Sequence, residues 1–393
     1  MKITKKIAAV VLTLALVAAM FSVSVFSTAA AQWNDYSSAA AQLDKDYAYY
    51  GELGAIYSYQ ETTFRVWAPL ATDVKLNLYK TGSDTEAGAE NLGTHTMEKL
   101  MDGTDWTGVW TYTVTGELAG TYYTYTITNP DHICRNTKTV THETQDLYSY
   151  AVGVNGDRSM VVDLDATDPD GWENDSHIVT DNQTDAIIWE VQVKDFSFNE
   201  NSGVSEPNRG KFLAFTETGT TLNSEGDIAT CVDYLKSLGI THVQINPFND
   251  FASLNEAVDT TNQFNWGYDP KNYGVPEGSF SSNPFDGNVR INECKQMIQA
   301  LHNAGIGVIM DVVYNHTYST NSCFYYSVPE YYYRMTSNGG YSNQSACGND
   351  TASERAMYRR YMRDMIKYWA NEYHIDGFRF DLMKLFTTLN DML

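Results

Sequence analysis

Several familiar catalytic signatures are missing from this 393-residue chain. There is no G-x-S-x-G elbow, no phosphate-binding P-loop and no H-E-x-x-H helix, which removes the common serine-hydrolase, nucleotide-hydrolase and zinc-protease readings. Basic residues are scarce, with 26 Lys and Arg against 49 Asp and Glu and a net charge of −23. That field repels nucleic acid and anionic membranes and leaves a neutral substrate unaffected. Cysteine is limited to Cys134, Cys231, Cys294, Cys323 and Cys347. Five cysteines without compact spacing make neither a disulfide scaffold nor a zinc motif. Cys231 and Cys294 fall in helical patterns and read as core. Cys323 and Cys347 flank one loop region and read as a candidate disulfide in an oxidising compartment.

What is present begins with a leader. Lys2, Lys5 and Lys6 precede an apolar run from Ile7 to Phe26, and Ala29-Ala30-Ala31 fits an A-x-A cleavage site. Residues 1–31 therefore read as a signal peptide of a secreted protein, with an uncleaved membrane anchor as the alternative. Aromatic residues make up 13% of the chain, 28 of them Tyr. Such an excess suits either sheet surfaces or rings that stack on sugars.

Two grammars follow. After a polar, alanine-rich lead-in at 32–54, residues 55–150 alternate with period two in "VKLNLY" and "YYTYTI", with Gly and Asp turns between runs. This pattern predicts a β-sandwich. A polar connector occupies 151–184. From 185 to 393 the pattern changes to strand, loop, helix, started four times: "AIIWEVQV", "ITHVQINPF", "IGVIMDVVYN" and "IDGFRFDLM" as strands, with helices over 224–239, 289–305 and 353–374. The near-continuous apolar run at 186–193 predicts a strand buried on both faces. Ser224 reads as the N-cap of the first helix, and Ile228, Val232 and Leu235 as its apolar face. The fold class is multidomain, an N-terminal β-sandwich followed by the first half of a (β/α)8 TIM barrel (β1 to β4 only). Two βα loops, 247–288 and 315–352, are long enough to read as functional.

Polar groups cluster just past the strand ends. Period two puts Arg379 and Asp381 on one side of the last strand. A carboxylate oriented and kept ionised by a guanidinium is what a retaining glycosidase uses as nucleophile, although a structural ion pair has the same look. Asp311, Asn315 and His316 end the third strand. The first two either tie down the loop or offer oxygen to Ca²⁺, and His316 is placed to bond a sugar hydroxyl. Trp266 and Tyr268 sit in a glycine-bearing loop, with Tyr268 a candidate stacking platform.

"DVVYNH" and "GFRFD" resemble signature segments of the α-amylase superfamily, glycoside hydrolase family 13. "FNWGYDP", "YGVPEGSF", "CGNDTASER" and "YHIDGFRFDLM" together resemble the type I pullulanase family, and "FRVWAP" with "GVWTYTV" resembles the family-48 carbohydrate-binding module. The resemblance covers about 55–393. It implies hydrolysis of α-1,6 branch linkages in pullulan, amylopectin, glycogen and limit dextrins, with retention. It implies Asp381 as nucleophile, Arg379 as its orienting partner, His316 and Tyr268 as substrate contacts, Asp311 as a structural aspartate and Asn315 as a possible Ca²⁺ ligand. Trp67, Trp106 and Trp110 are candidate sugar contacts of the β domain, with a place in its core the alternative for each. The partner is an α-glucan, with no nucleic acid and no obligate protein partner. No cofactor is required for the chemistry.

The family's general acid, a glutamate after the fifth strand, and its transition-state aspartate with a histidine after the seventh have no counterpart in this sequence. The expectation is a C-terminally truncated chain that is inactive by itself, since a retaining mechanism needs two carboxyl groups. Glu190, on the first strand, is not a convincing substitute. Isoamylase, branching enzyme, neopullulanase and a non-catalytic α-glucan-binding protein are the alternatives.

Overall fold

A computed structural model describes residues 36–134 and 138–383. The leader read at 1–31 and the stretch after Met383 lie outside the described residues. The lead-in contains a helix, α1 (Tyr36–Tyr47), which buries Ala39, Ala40 and Leu43. Eight strands follow: β1 (Gly54–Tyr57), β2 (Glu61–Trp67), β3 (Asp73–Tyr79), β4 (Asn91–Thr96), β5 (Glu98–Asp102), β6 (Asp105–Thr115), β7 (Tyr122–Pro130) and β8 (Thr139–Thr144). They form two antiparallel sheets, β1-β2-β6-β5 and β4-β3-β7-β8, with the short β9 (Ser159–Met160) added to β7. Alternation on β2 and β3 sends Phe64, Val66, Val74, Leu76 and Leu78 into the layer between the sheets, so the β-sandwich follows from the period-two pattern.

The second region begins with β10 (Ile188–Val191) and α2 (Val193–Ser197), then α3 (Cys231–Ser237), β11 (His242–Ile245), β12 (Asn249–Phe251) and β13 (Pro270–Pro276). It continues through α4 (Gly287–Asn303), β14 (Gly307–Val312), α5 (Cys323–Ser327), α6 (Ala356–Glu372) and β15 (Gly377–Phe380). Strands β10, β11, β14 and β15 pair in that order, all parallel. With helices between them, they form a partial β/α barrel. No helix among the described residues is long and apolar enough to cross a membrane.

The structure corrects several local expectations. Strand β10 is not buried on both faces: Ile188 is 50% and Trp189 40% exposed, because β10 lies at the edge of the four-stranded sheet. The helix expected over 224–239 spans only Cys231–Ser237. Ser224 has left-handed backbone and Ile228 is 65% exposed. Thr220 and Leu222 draw 228–230 into backbone hydrogen bonds instead, so the first turns never form. Cys323 and Cys347 are both free. Cys323 is sealed in the core and Cys347 lies exposed on the returning loop, so the expected bridge is absent.

Many of the tyrosines lie inside. Tyr273, Tyr314, Tyr331, Tyr332, Tyr358 and Tyr361 are buried between β13, β14, α5 and α6. Tyr273 stacks on Tyr314 with centroids 5.2 Å apart. Trp67 and Trp110, candidates for either sugar contact or core, are core rings at 3% and 6% exposure. Trp67 packs 4.9 Å from Tyr331 and donates its indole N–H to Tyr47 O, so it joins the β domain, α1 and the barrel. A buried ring with a satisfied indole leaves no face for a sugar.

Candidate active site

The parallel pairing of β14 with β15 sets Asp311 beside Arg379. One strand's alternation then brings Asp381 to the same guanidinium. Arg379 Nη1 donates to Asp381 Oδ1 at 2.9 Å and to both Asp311 oxygens at 2.9 and 3.0 Å. The Asp381 side chain is 15% exposed and that of Arg379 41%, whereas Asp311 is sealed. The reachable carboxylate of the pair is therefore Asp381.

Each remaining group locks another. Tyr268 donates its hydroxyl to Asp311 Oδ2 at 2.7 Å. Asn315 Nδ2 donates to Asp381 O at 3.0 Å and to Oδ2 at 3.1 Å. The Asn315 oxygen lies 2.6 Å from His316 Nδ1, and His316 Nε2 lies 2.8 Å from Tyr268 O. Burial pushes the Asp311 carboxyl up, opposed by the Tyr268 hydroxyl and Arg379. Burial pushes the Tyr268 phenol up as well, helped by Asp311. Burial lowers His316, with the Tyr268 carbonyl and Asp381 pulling the other way.

The loop bearing Tyr268 is shaped by Gly267. Its φ is +89°, and a Cβ there would lie 2.3 Å from Pro247 O, so glycine alone fits between Trp266 and Tyr268. Trp266 itself is 66% exposed and stands outside the hydrogen-bonded network. Glu190 is exposed on β10.

The supporting residues were not readable from sequence. Tyr273 donates its hydroxyl to His316 O at 2.7 Å, and Tyr358 and Thr351 both donate to Tyr314 O. These bonds hold the backbone from 314 to 316 from below. Their sequence signal was only the general tyrosine surplus. Lys194, at the start of α2, spends its ammonium on the carbonyls of Thr260, Thr261 and Gln263 at 2.6–2.9 Å, which fixes the 252–269 loop.

Three buried carboxylates, Asp250, Glu256 and Glu277, lie apart from this network with oxygens within 4.8 Å of one another, close enough to hold a metal ion. Arg290 already supplies positive charge there, at 3.3 Å from Asp250 and 3.1 Å from Glu256. Asn315, the expected Ca²⁺ ligand, has its amide oxygen against His316 and its amide nitrogen on Asp381. The Asn315 amide oxygen is thus engaged by His316, and the acidic cluster beside Arg290 could coordinate a metal ion.

A partial β/α barrel with a guanidinium-clamped carboxylate at its strand ends thus follows a β-sandwich in this chain. Residues 212–339 match the family described as alpha amylase, catalytic domain, and residues 52–151 match carbohydrate-binding module 48, the isoamylase N-terminal domain. The chain is 42% identical over 347 residues to the pullulanase of Bacillus subtilis strain 168, covering 87% of this chain and 44% of that one. It is 33% identical to chloroplastic pullulanase 1 of Arabidopsis thaliana, covering 87% and 37%. Among solved structures, Paenibacillus barengoltzii pullulanase in complex with maltohexaose and α-cyclodextrin superposes with a TM-score of 0.79 at 41% identity, covering 88% of this chain and 51% of that one. Pullulanase from Bacillus acidopullulyticus gives 0.78 at 45% identity, covering 86% and 39%. The chain is thus a homologue of the pullulanases of glycoside hydrolase family 13 with a family-48 module. It spans about half the length, or less, of the relatives it matches.

Proposed function

We propose that these residues form the nucleophile side of a site that cleaves α-1,6-glucosidic branch linkages in pullulan, amylopectin and related α-glucans with retention. The observation that carries this reading is the Arg379 guanidinium held between buried Asp311 and reachable Asp381. In the proposed reaction Asp381 attacks the anomeric carbon, the bond to the leaving oxygen breaks, and water later releases the sugar with retained configuration. Arg379 and Asn315 orient the carboxylate, His316 and Tyr268 contact the sugar, and Asp311 anchors Arg379 and Tyr268. Protonation of the leaving oxygen needs a second carboxyl group. Among the described residues, the carboxylates on the guanidinium are Asp381 and the sealed Asp311, and neither is free for that task. We place the mature protein outside the cell, with its leader cleaved after Ala31, which N-terminal sequencing of the secreted chain checks.

A leaving group that departs without protonation isolates Asp381 from the acid. A 2-deoxy-2-fluoro maltosyl fluoride should leave one sugar adduct on Asp381, located by peptide mass spectrometry, and Asp381→Asn should abolish it. A folded chain that stays unlabelled, or is labelled elsewhere, overturns the reading. Release of maltotriose from pullulan tests the complete reaction, including the branch specificity that separates this activity from branching enzyme and neopullulanase.

A further inference from the structure

Lys194 lies just past β10, on the opposite side of the 252–269 loop from the catalytic candidates. An ammonium has three donors, and Lys194 gives all three to main-chain oxygens: Gln263 O at 2.6 Å, Thr260 O at 2.8 Å and Thr261 O at 2.9 Å. These partners are neutral and belong to the backbone, so they fix the course of the chain and not one mobile side chain. Oxygens gathered around one cation are how a bound metal orders a loop. Here the cation is a side chain, and the distances are those of charge-assisted hydrogen bonds.

The loop has little else to hold it in this stretch. Val258 is 56% and Phe264 49% exposed. A segment with few buried apolar contacts opens easily unless polar ties close it. The Gln263 amide adds ties to Asn255, at 2.9 and 3.0 Å. The Lys194 stem is itself fixed, with its ammonium 4.6 Å from the centre of the Phe198 ring.

The hold passes to the site in a few bonds. Gln192 caps α2 through Asp195 N–H and donates its amide to Asn265 O at 3.1 Å. Asn265 donates to Ala252 O and to Asp269 Oδ1, both at 2.9 Å, and accepts from Gly267 N–H at 2.8 Å. Both flanks of Tyr268 are thereby set. Tyr268 then presents its hydroxyl to Asp311 and its carbonyl to His316. A cation on the carbonyls of 260–263 therefore sits a short hydrogen-bonded path from the Arg379 clamp.

We propose that Lys194 is a positioning residue for the candidate active site: its ammonium acts as a built-in loop cation on the carbonyls of Thr260, Thr261 and Gln263, and so sets Tyr268 against Asp311. This rests on the proposed reading of Asp381 as nucleophile. A cavity of about 100 Å³ opens beside Lys194, Phe198 and Gln263. Through it a small ammonium ion reaches the same carbonyls when the side chain is cut back.

The test compares the full chain with Lys194→Met, which keeps the stem and removes the donors, and with Lys194→Ala. Two quantities are read: hydrogen exchange of peptides covering 252–269, and the rate at which the 2-deoxy-2-fluoro maltosyl fluoride labels Asp381. In both variants exchange of 252–269 should rise about tenfold or more, as expected for lost bonds to a charged donor, while β13 and β14 stay protected. Labelling should slow by about a hundredfold, the scale of a reacting group displaced by about 1 Å. n-Propylammonium replaces the atoms cut from Lys194→Ala and should restore both quantities. Tetramethylammonium has the charge but no N–H and should restore neither. If Lys194→Ala loses the native melting transition, Lys194→Met carries both measurements. Labelling at the wild-type rate in a folded variant, or rescue by tetramethylammonium as well, would overturn the proposal and leave the Asp381 reading intact. A folded wild type that is never labelled would overturn the Asp381 reading, and the proposal with it.

Discussion

Two arginines in this molecule face the same arithmetic, and the protein uses them for opposite ends. Arg379 sits between Asp311 and Asp381 at the strand ends, and Arg290 sits between Asp250 and Glu256 at the seam with the β domain. Each set has one guanidinium and two carboxylates in direct contact. The difference is water. The Arg379 side chain is 41% exposed, so Asp381 stays reachable while its orientation is fixed. Arg290 is fully buried, its partners are 1% and 3% exposed, and Glu277 adds a third carboxylate. There the surplus negative charge is met by protons: burial and the Glu256 charge push Asp250 up to about 7, and Glu277 is raised well above the usual carboxylate range. Solvent access converts one charge pattern from a reactive centre into a structural lock.

The largest expected effect breaks that parallel. Asp381→Asn should remove the sugar adduct altogether while leaving the melting temperature within a degree or two, because a half-open pair contributes little to stability. Arg290→Met should do the reverse. It strands buried carboxylates and should cost about 3–5 kcal/mol in denaturant unfolding. The triple change Arg290→Met, Asp250→Asn, Glu256→Gln should recover most of that loss. If Arg290→Met unfolds like wild type, the seam is not a lock. EGTA should leave the melting temperature unchanged, since the guanidinium already occupies the acidic cluster.

Titration sharpens the contrast at intermediate size. A carboxyl whose pKa the fold raises favours the folded state at acid pH. That contribution is lost as pH climbs from 3.8, where the unfolded Asp250 carboxyl ionises, through about 7, where the folded one does. Asp146, buried and pushed up to about 6, behaves the same way. Asp250→Asn keeps the protonated shape at every pH. Its stability relative to wild type should therefore rise between pH 4 and 7. A gap that stays constant with pH would mean that Asp250 is ionised in the fold throughout.

How far the sequence reached depends on whether a feature is local. Arg379 and Asp381 share a side because of strand periodicity alone, and the β-sandwich core follows the same rule. Trp67 and Trp110 stayed open between the two roles because composition does not distinguish a ring that stacks on sugar from one that seals a domain boundary. The failed helix start at Ser224 has a tertiary cause, the pairing of 220–222 with 228–230. Tyr273, Tyr358 and Thr351, which hold the site backbone, lie up to 44 positions from what they support. No spacing rule joins them. The Arg290 lock was invisible for the same reason: its guanidinium comes from α4 and its carboxylates from β12 and the segment after it.

The smallest effect concerns the thiols, where burial again decides reactivity. Cys323 is 1% exposed among the tyrosines, and burial pushes its thiol up to about 12. The thiolate is the reactive form, so Cys323 should resist alkylation in the native state. Cys347 stands on the exposed loop, its thiol directed at Ser345 O at 3.6 Å. Of the cysteines, Cys134, Cys231 and Cys294 are also buried. Native protein purified without reductant should therefore show one fast-reacting thiol and, after unfolding, all five. Dithiothreitol should shift the melting temperature by less than about one degree, because a lost disulfide would cost about 2–5 kcal/mol and none is present to lose. A deficit of two thiols in the unfolded protein, restored by reductant, would mean that the returning loop closes onto Cys323 after all, and that the core around it opens far enough to let the loop in.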